Sequence, residues 1–235
     1  MIAIKTIKLI ISFFCFVFLI FNNTNLTKDN NLDISVNKKK KETNYANIID
    51  NLKEQYNNKD IVGILKISSN NFEIPIVQGK DNEYYLNHTI NNKKSNLGSV
   101  FLDYRVSIYE SKKLLIYGHS SSKINIDFNI LENYYDKEYY MSNKYISLIT
   151  SNEERIYEIF SVYIETLDFS YMTINFIDNN DFYRHIQDLK NKSLYVIDTK
   201  LEQDDEILIL QTCSNDINYT DYDKKYLLII SRRIR

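Results

Sequence analysis

The 235-residue chain has no tryptophan, 1 proline, 4 glycines and 2 cysteines. So little glycine and proline excludes a collagen-like or Gly/Pro-rich disordered chain, and two cysteines cannot staple a disulfide mini-protein. No sign of charge is in excess: 29 Lys and Arg stand against 31 Asp and Glu, a formal charge of -2. Without a global basic field to hold a phosphate backbone, nucleic acid is not expected as a partner. Metal-binding residues are equally scarce, with 3 histidines, no HExxH and no paired cysteines, so neither a metal nor another cofactor is expected. What the chain has is 44% hydrophobic and 14% aromatic residues, enough to bury one full core. Its abundant Asn, Lys, Ile and Tyr read as codon bias of an AT-rich genome and carry no mechanism.

Long apolar runs are confined to one place. Leu9 to Phe21 (LIISFFCFVFLIF) is broken only by Ser12 and preceded by Lys5 and Lys8. Thirteen helical residues span about 20 Å, short of a hydrocarbon core of about 30 Å, but counting from Ile2 just suffices. A signal peptidase site needs small residues, whereas Asn22, Asn23 and Thr24 follow, so 1–21 is read as a membrane anchor, uncleaved, with a cleaved signal segment as the alternative. Lys5 and Lys8 stay inside by the positive-inside rule, which places everything after Phe21 outside the cytoplasm at the cell membrane. Asn22 to Lys41, Asn-rich and closing with four lysines, reads as a solvated linker over 22–41. Residues 42–235 are left as one outer domain.

In that domain Tyr45, Ile48, Ile49, Leu52 and Tyr56 recur at spacings of three and four, predicting an amphipathic helix over Thr43 to Asn58. Eight short apolar or alternating runs follow: Ile61 to Ile67, Glu73 to Val77, Gly98 to Asp103, Lys113 to Tyr117, Tyr145 to Ile149, Arg155 to Ile164, Glu206 to Thr212 and Tyr226 to Ser231. They predict a mostly β, mostly antiparallel barrel or sandwich. Between the sixth and seventh runs, Asp178 or Asn179 caps a helix whose Phe182, Ile186 and Leu189 share a face. Shorter helical turns are expected near Asn82 to Asn87 and Asn133 to Tyr140; no internal repeat or second linker is visible.

Cys15 falls in the membrane run, so Cys213 is the lone thiol of the outer domain, either an inert buried residue or a nucleophile kept for its reactivity. It ends the apolar run EILILQT and opens a polar loop, the position of an exposed rim. An ordinary thiol with pKa about 8.5 is only slightly ionised at neutral pH and needs a partner. His88 sits in a polar loop, and His185 lies on the inserted helix as a surface or packing residue. His119 follows the strand Lys113 to Tyr117 through Gly118, a strand end matching that of Cys213. Attack on a carbonyl also needs a donor for the oxyanion. Lys224 and Lys225 open the last strand beside Cys213, whereas Arg232 and Arg233 lie about 25 Å along it, so the cation near the thiol is expected to be lysine.

Taken in order, VGILKI, PIVQGKDNEYYLNH, GSVFLDYR, LLIYGH, YEIFSVY, SYMTINF and LQTC resemble a class B sortase over Asp60 to Ile234. The resemblance implies a membrane-anchored cysteine transpeptidase of Gram-positive bacteria, with an eight-stranded barrel, an N-terminal helix and a helix inserted between strands 6 and 7. It implies catalytic roles for His119 and Cys213, and substrate contacts for Asn82, Leu86, Tyr171 and Met172. Two departures stand out: the family's arginine aligns with Lys225, or with Lys224, and Gln211 replaces the small hydroxyl usual two residues before the cysteine. Lysine keeps the charge but loses the planar fork.

The implied reaction is attack of Cys213 on an NPxTx-type sorting motif of secreted proteins, followed by transfer of the acyl group to an amine of peptidoglycan or its precursor. A hydrolytic cysteine endopeptidase and a non-catalytic surface protein that kept the barrel are the alternatives.

Overall fold

A computed structural model of the protein describes residues 43–67 and 72–235. The expected anchor, 1–21, and linker, 22–41, lie outside the described residues. Among the described residues no helix is long and apolar enough to cross a membrane.

The apolar runs become β1 (Ile61–Ile67), β2 (Phe72–Val77), β3 (Phe101–Leu102), β4 (Lys113–Tyr117), β5 (Tyr145–Ile149), β6 (Glu154–Glu165), β7 (Ile207–Cys213) and β8 (Tyr226–Arg233). They close into a barrel in the order β1-β2-β3-β4-β7-β8-β6-β5. Closure leaves no open edge and explains why β4, β7 and β8 read as unbroken apolar runs: each is flanked on both sides and covered on both faces. Large aromatics take the place of the missing tryptophan, with Tyr85, Tyr134, Tyr157, Tyr171, Phe101, Phe128 and Phe160 fully buried.

Most pairs are antiparallel, but β2 with β3 and β4 with β7 are parallel. The β4–β7 register runs from Lys113 opposite Ile207 to Tyr117 opposite Gln211, so both strands deliver their carboxyl ends to the same rim. β3 is shorter than the predicted Gly98 to Asp103. Gly98 turns at φ 61° and the Ser99 N–H donates to the Tyr85 carbonyl at 2.9 Å, which spends that stretch on a turn.

The helices follow their caps. α1 (Tyr45–Tyr56) starts at Asn44, whose side chain accepts from the Asn47 N–H at 3.1 Å, and packs Ile49 into the core. α2 (Lys137–Ser142) follows a 3-10 stretch at Asp127–Tyr135, and a further 3-10 turn forms at Tyr84–Leu86. α3 (Asn179–Asn191) starts at Asp178, which accepts from the Asp181 N–H at 2.8 Å. Its buried Phe182, Ile186 and Leu189 face the barrel, where the β6 hydroxyl of Ser161 donates to the Leu189 carbonyl at 2.7 Å.

Candidate active site

Parallel pairing of β4 and β7 brings two distant residues to one place. The Gly118 N–H donates to the Gln211 carbonyl at 3.1 Å and the Thr212 hydroxyl to the Gly118 carbonyl at 2.8 Å, carrying the register past Tyr117. His119 and Cys213 then occupy equivalent positions at the ends of neighbouring strands, which lie about 4.8 Å apart. Both line one cleft of about 330 Å³.

His119 is held from two sides. Its Nε2 lies 2.9 Å from the Leu86 carbonyl oxygen. A carbonyl can only accept, so Nε2 carries the proton and Nδ1 is the nitrogen free to exchange one. A Cβ at Gly98 would sit 3.0 Å from the imidazole Cδ2 and 2.6 Å from the Tyr85 carbonyl, in a left-handed backbone that disfavours side chains. At Gly118 a Cβ would meet the buried Phe128 ring at 2.6 Å. Gly98 thus permits close approach to the imidazole, and Gly118 permits close approach of Phe128 to the backbone just before it.

Cys213 is exposed, and its backbone is clamped. The Ser120 hydroxyl donates to the Cys213 carbonyl at 2.6 Å, and the Asn215 side-chain amide donates both to the Ser120 hydroxyl and to the Glu132 carboxylate. The residue lines the cleft, where partial burial pushes the thiol pKa above its ordinary value. At neutral pH it is therefore a neutral thiol that must lose its proton to attack. Alkylation of Cys213 by iodoacetamide is expected to speed up about tenfold per pH unit through neutrality, with a midpoint above that of a free thiol. A rate that is flat between pH 6 and 8 would show a thiolate already formed.

The four residues expected to contact substrate, Asn82, Leu86, Tyr171 and Met172, all line this cleft, with Phe101, Tyr117, Gln211 and Tyr226. The departure at Gln211 has a local partner, since the Tyr171 hydroxyl donates to its Oε1 at 2.7 Å. The Asn82 Oδ1 accepts from the Tyr104 N–H at 3.0 Å. Beneath the wall, the fully buried Asp103 takes two hydrogen bonds from the Arg105 guanidinium, at 2.9 and 2.7 Å, and one from the Tyr117 hydroxyl at 2.7 Å. Burial alone would raise the Asp103 pKa, but these donors outweigh it and hold the carboxyl below its ordinary value.

The structure does not bring the expected lysine into the cleft. Lys225 lies beside Cys213 along the backbone, its carbonyl accepting from the Ser214 N–H at 2.9 Å, but its ammonium donates to the Asp216 carbonyl at 3.1 Å. Lys224 is exposed and also outside the lining. Strand alternation is the reason: Tyr226 pairs with Cys213, and its side chain shares the cleft face while that of Lys225 leaves by the other. Sequence reasoning missed Tyr226 and the turn glycine Gly98. The other histidines lie elsewhere: His88 stacks on Tyr84 with ring centroids 4.0 Å apart, and His185 packs against the buried Lys113, its Nε2 2.7 Å from the ammonium. Burial holds the Lys113 pKa down to about 7 and that of His185 to about 3, so His185 stays neutral.

His119 also borders a second cavity, of about 470 Å³, whose lining includes Glu73, Ile90, Leu97, Asn125 and Asp127 but not Cys213. The imidazole thus forms part of the wall of two separate spaces.

No protein-family model matches the chain. Individual proteins do match. The chain is 36% identical over 173 residues to sortase B of Listeria monocytogenes, covering 73% of this chain and 69% of that protein. A Staphylococcus aureus sortase B–substrate complex superposes with a TM-score of 0.70 at 28% identity, covering 80% of this chain and 84% of the other. A sortase B complexed with triglycine gives a TM-score of 0.74 at 27% identity, covering 83% and 89%. With the eight-stranded barrel, the helix before it and the helix between β6 and β7 all in place, and with that degree of identity to a curated relative, the chain belongs to the sortase B family and is a sortase enzyme.

Proposed function

We propose that the protein is a cysteine transpeptidase in which Cys213 is the nucleophile and His119 the proton carrier. The observation that carries this reading is the meeting of His119 and Cys213 at adjacent ends of the parallel pair β4–β7, in one cleft. The His119 Nδ1 takes the thiol proton, and the thiolate attacks the threonine carbonyl of an NPxTx-type sorting motif in a secreted protein. The carbon–nitrogen bond then breaks, His119 returns the proton to the leaving amine, and a thioacyl enzyme remains. Aromatic and apolar walls from Leu86, Phe101, Tyr171 and Met172 suit a short extended peptide with apolar side chains.

The second step is the reverse of the first with a new amine, an amino group of peptidoglycan or its precursor. Acceptor and leaving group must both reach the same His119 nitrogen, and the 470 Å³ cavity that His119 also lines offers a second space beside the ring for the acceptor. Among the described residues the Asp127 carboxylate, which lines this cavity, has no hydrogen-bond or ion-pair partner, and burial raises its pKa. An unpaired carboxylate suits a cationic, amine-bearing acceptor. Asp127→Asn is expected to raise the KM for an amine acceptor by on the order of tenfold while leaving hydrolysis in its absence unchanged; equal acceptor KM values would remove Asp127 from this role.

The relatives solved with a substrate and with triglycine support this pairing of an acyl donor with an amine, and the Leu9 to Phe21 run supports an anchor holding the domain outside the cell membrane. Product analysis with an NPxTx-type peptide, with and without triglycine, tests the function. An amide product formed at the expense of free acid is expected. Free acid alone, whatever the amine concentration, would make the protein a hydrolytic endopeptidase, the second reading, which the exposure of Cys213 to solvent also permits.

A further inference from the structure

An acyl transfer at Cys213 creates an oxyanion, and among the described residues neither a lysine nor an arginine lines the cleft that receives it. Arg105 is held by Asp103, and the Lys225 ammonium is turned to Asp216. Most uncharged donors are also committed: the Tyr117 hydroxyl to Asp103, the Tyr171 hydroxyl to Gln211 and His119 Nε2 to Leu86. The Gln211 amide belongs to a residue one pleat deeper on β7, about 7 Å from Cys213 along the strand, with its carbonyl already fixed by Tyr171.

The Asn82 amide, too, is turned to Asp103, and among the described residues that line the cleft Tyr226 keeps an uncommitted hydroxyl. Tyr226 stands directly opposite Cys213, and because the neighbouring Ser214–Lys225 pair is the hydrogen-bonded one, Cys213 and Tyr226 form the closer, non-hydrogen-bonded type of pair, with Cα atoms about 4.5 Å apart. Its ring is set by an edge-to-face contact with Phe169, centroids 5.8 Å apart, and among the described residues its hydroxyl has no hydrogen-bond partner. Burial, and then the nearby Cys213 sulfur, raise its pKa, so it remains an O–H donor wherever the enzyme works.

We infer that the Tyr226 hydroxyl is the side-chain donor to the oxyanion at Cys213, replacing the cation that the last strand was expected to supply. The inference rests on the thioacyl reading above. As the Cys213 sulfur bonds to the carbonyl carbon, the C=O π pair moves to oxygen. Tyr226 donates a hydrogen bond to that oxygen without giving up its proton. The pair returns as the carbon–nitrogen bond breaks, and the His119 proton leaves with the amine. A neutral phenol gives a weaker donor than a guanidinium but requires no buried counter-charge.

The test is the single-turnover rate of thioacyl formation with an NPxTx-type peptide, followed by intact-mass spectrometry. Tyr226→Phe keeps the ring and the Phe169 contact and removes one O–H; it is expected to slow acylation by about 10²–10³-fold with peptide KM within about threefold. Its iodoacetamide alkylation rate, which needs no oxyanion donor, is expected to stay at the wild-type value, as a merely structural role for the hydroxyl would not require. Lys225→Gln is expected to acylate like wild type. Acylation by Tyr226→Phe within threefold of wild type, or the large loss appearing in Lys225→Gln instead, overturns the inference while leaving the thioacyl reading in place. Wild-type protein that forms no adduct overturns both.

Discussion

Cys213→Ala is expected to form no covalent adduct with a sorting-motif peptide and to lose turnover by at least about 10³-fold, because no other group in the cleft can replace the thiolate. The barrel should be indifferent to the change. Cys213 is exposed, and its structural ties run through its carbonyl, to Ser120, which alanine preserves, so stability should move by no more than about 0.5 kcal/mol. His119→Ala is expected to cost about 10²–10⁴-fold in turnover, since the proton must leave the thiol and later reach the leaving amine through one ring. If the Cys213→Ala protein still turned over peptide, the nucleophile would have to lie elsewhere.

The largest expected effect on stability lies beneath the cleft, in Arg105→Met. Asp103 is fully buried, and the paired Arg105 guanidinium carries most of its compensation. Removing that partner leaves a buried carboxylate with only the Tyr117 hydroxyl and neighbouring amides, at an expected cost of about 3–5 kcal/mol. The pH dependence should change with it. In the wild type the folded-state pKa of Asp103 lies below the ordinary 3.8, so its contribution is present above that value and is lost as pH falls through the lower folded value. In Arg105→Met the burial that is now outweighed is left to dominate, the folded pKa moves up, and this acid-side loss of stability should disappear or reverse. Urea titrations of both proteins from pH 3 to 7 measure it; parallel curves of equal midpoint would show that the pair contributes nothing. Because Tyr117 lines the cleft and bonds to the same carboxylate, activity is expected to fall alongside.

The barrel could be read from the chain because β4, β7 and β8 bury both faces along most of their length, so LLIY, ILIL and LLII stand out against the polar loops. Both main helices were visible through apolar spacing, and the second also through its cap, Asp178. His119 and Cys213 could be singled out because a glycine follows one strand and a polar loop follows the other. Their proximity, by contrast, depends on the parallel pairing of β4 and β7, which no local pattern in either strand encodes. The misplacement of the cation has a sharper cause. Whether Lys225 or Tyr226 faces the sulfur is a question of parity across the loop 214–225, and a shift of one residue in register exchanges the two faces. Nearness along the strand favoured the lysine; the pleat selects the tyrosine. Gln211 was visible as an oddity, but its partner Tyr171 comes from the stretch between β6 and α3 and is brought to it only by the closed fold. The second cavity, with Asp127, is assembled from separate loops and strands and has no sequence signature at all.

Trapping the intermediate tests most directly whether one thiol and one imidazole at the ends of β4 and β7 perform acyl transfer. The protein is mixed with an NPxTx-type peptide, quenched in acid and digested, and the modified residue is located by tandem mass spectrometry. The predicted result is the peptide's acyl portion, ending at threonine, attached to Cys213 in the wild type, absent in His119→Ala at the same time point, and discharged when triglycine is added before the quench. No adduct on the wild type, or an adduct on any residue other than Cys213, would contradict it.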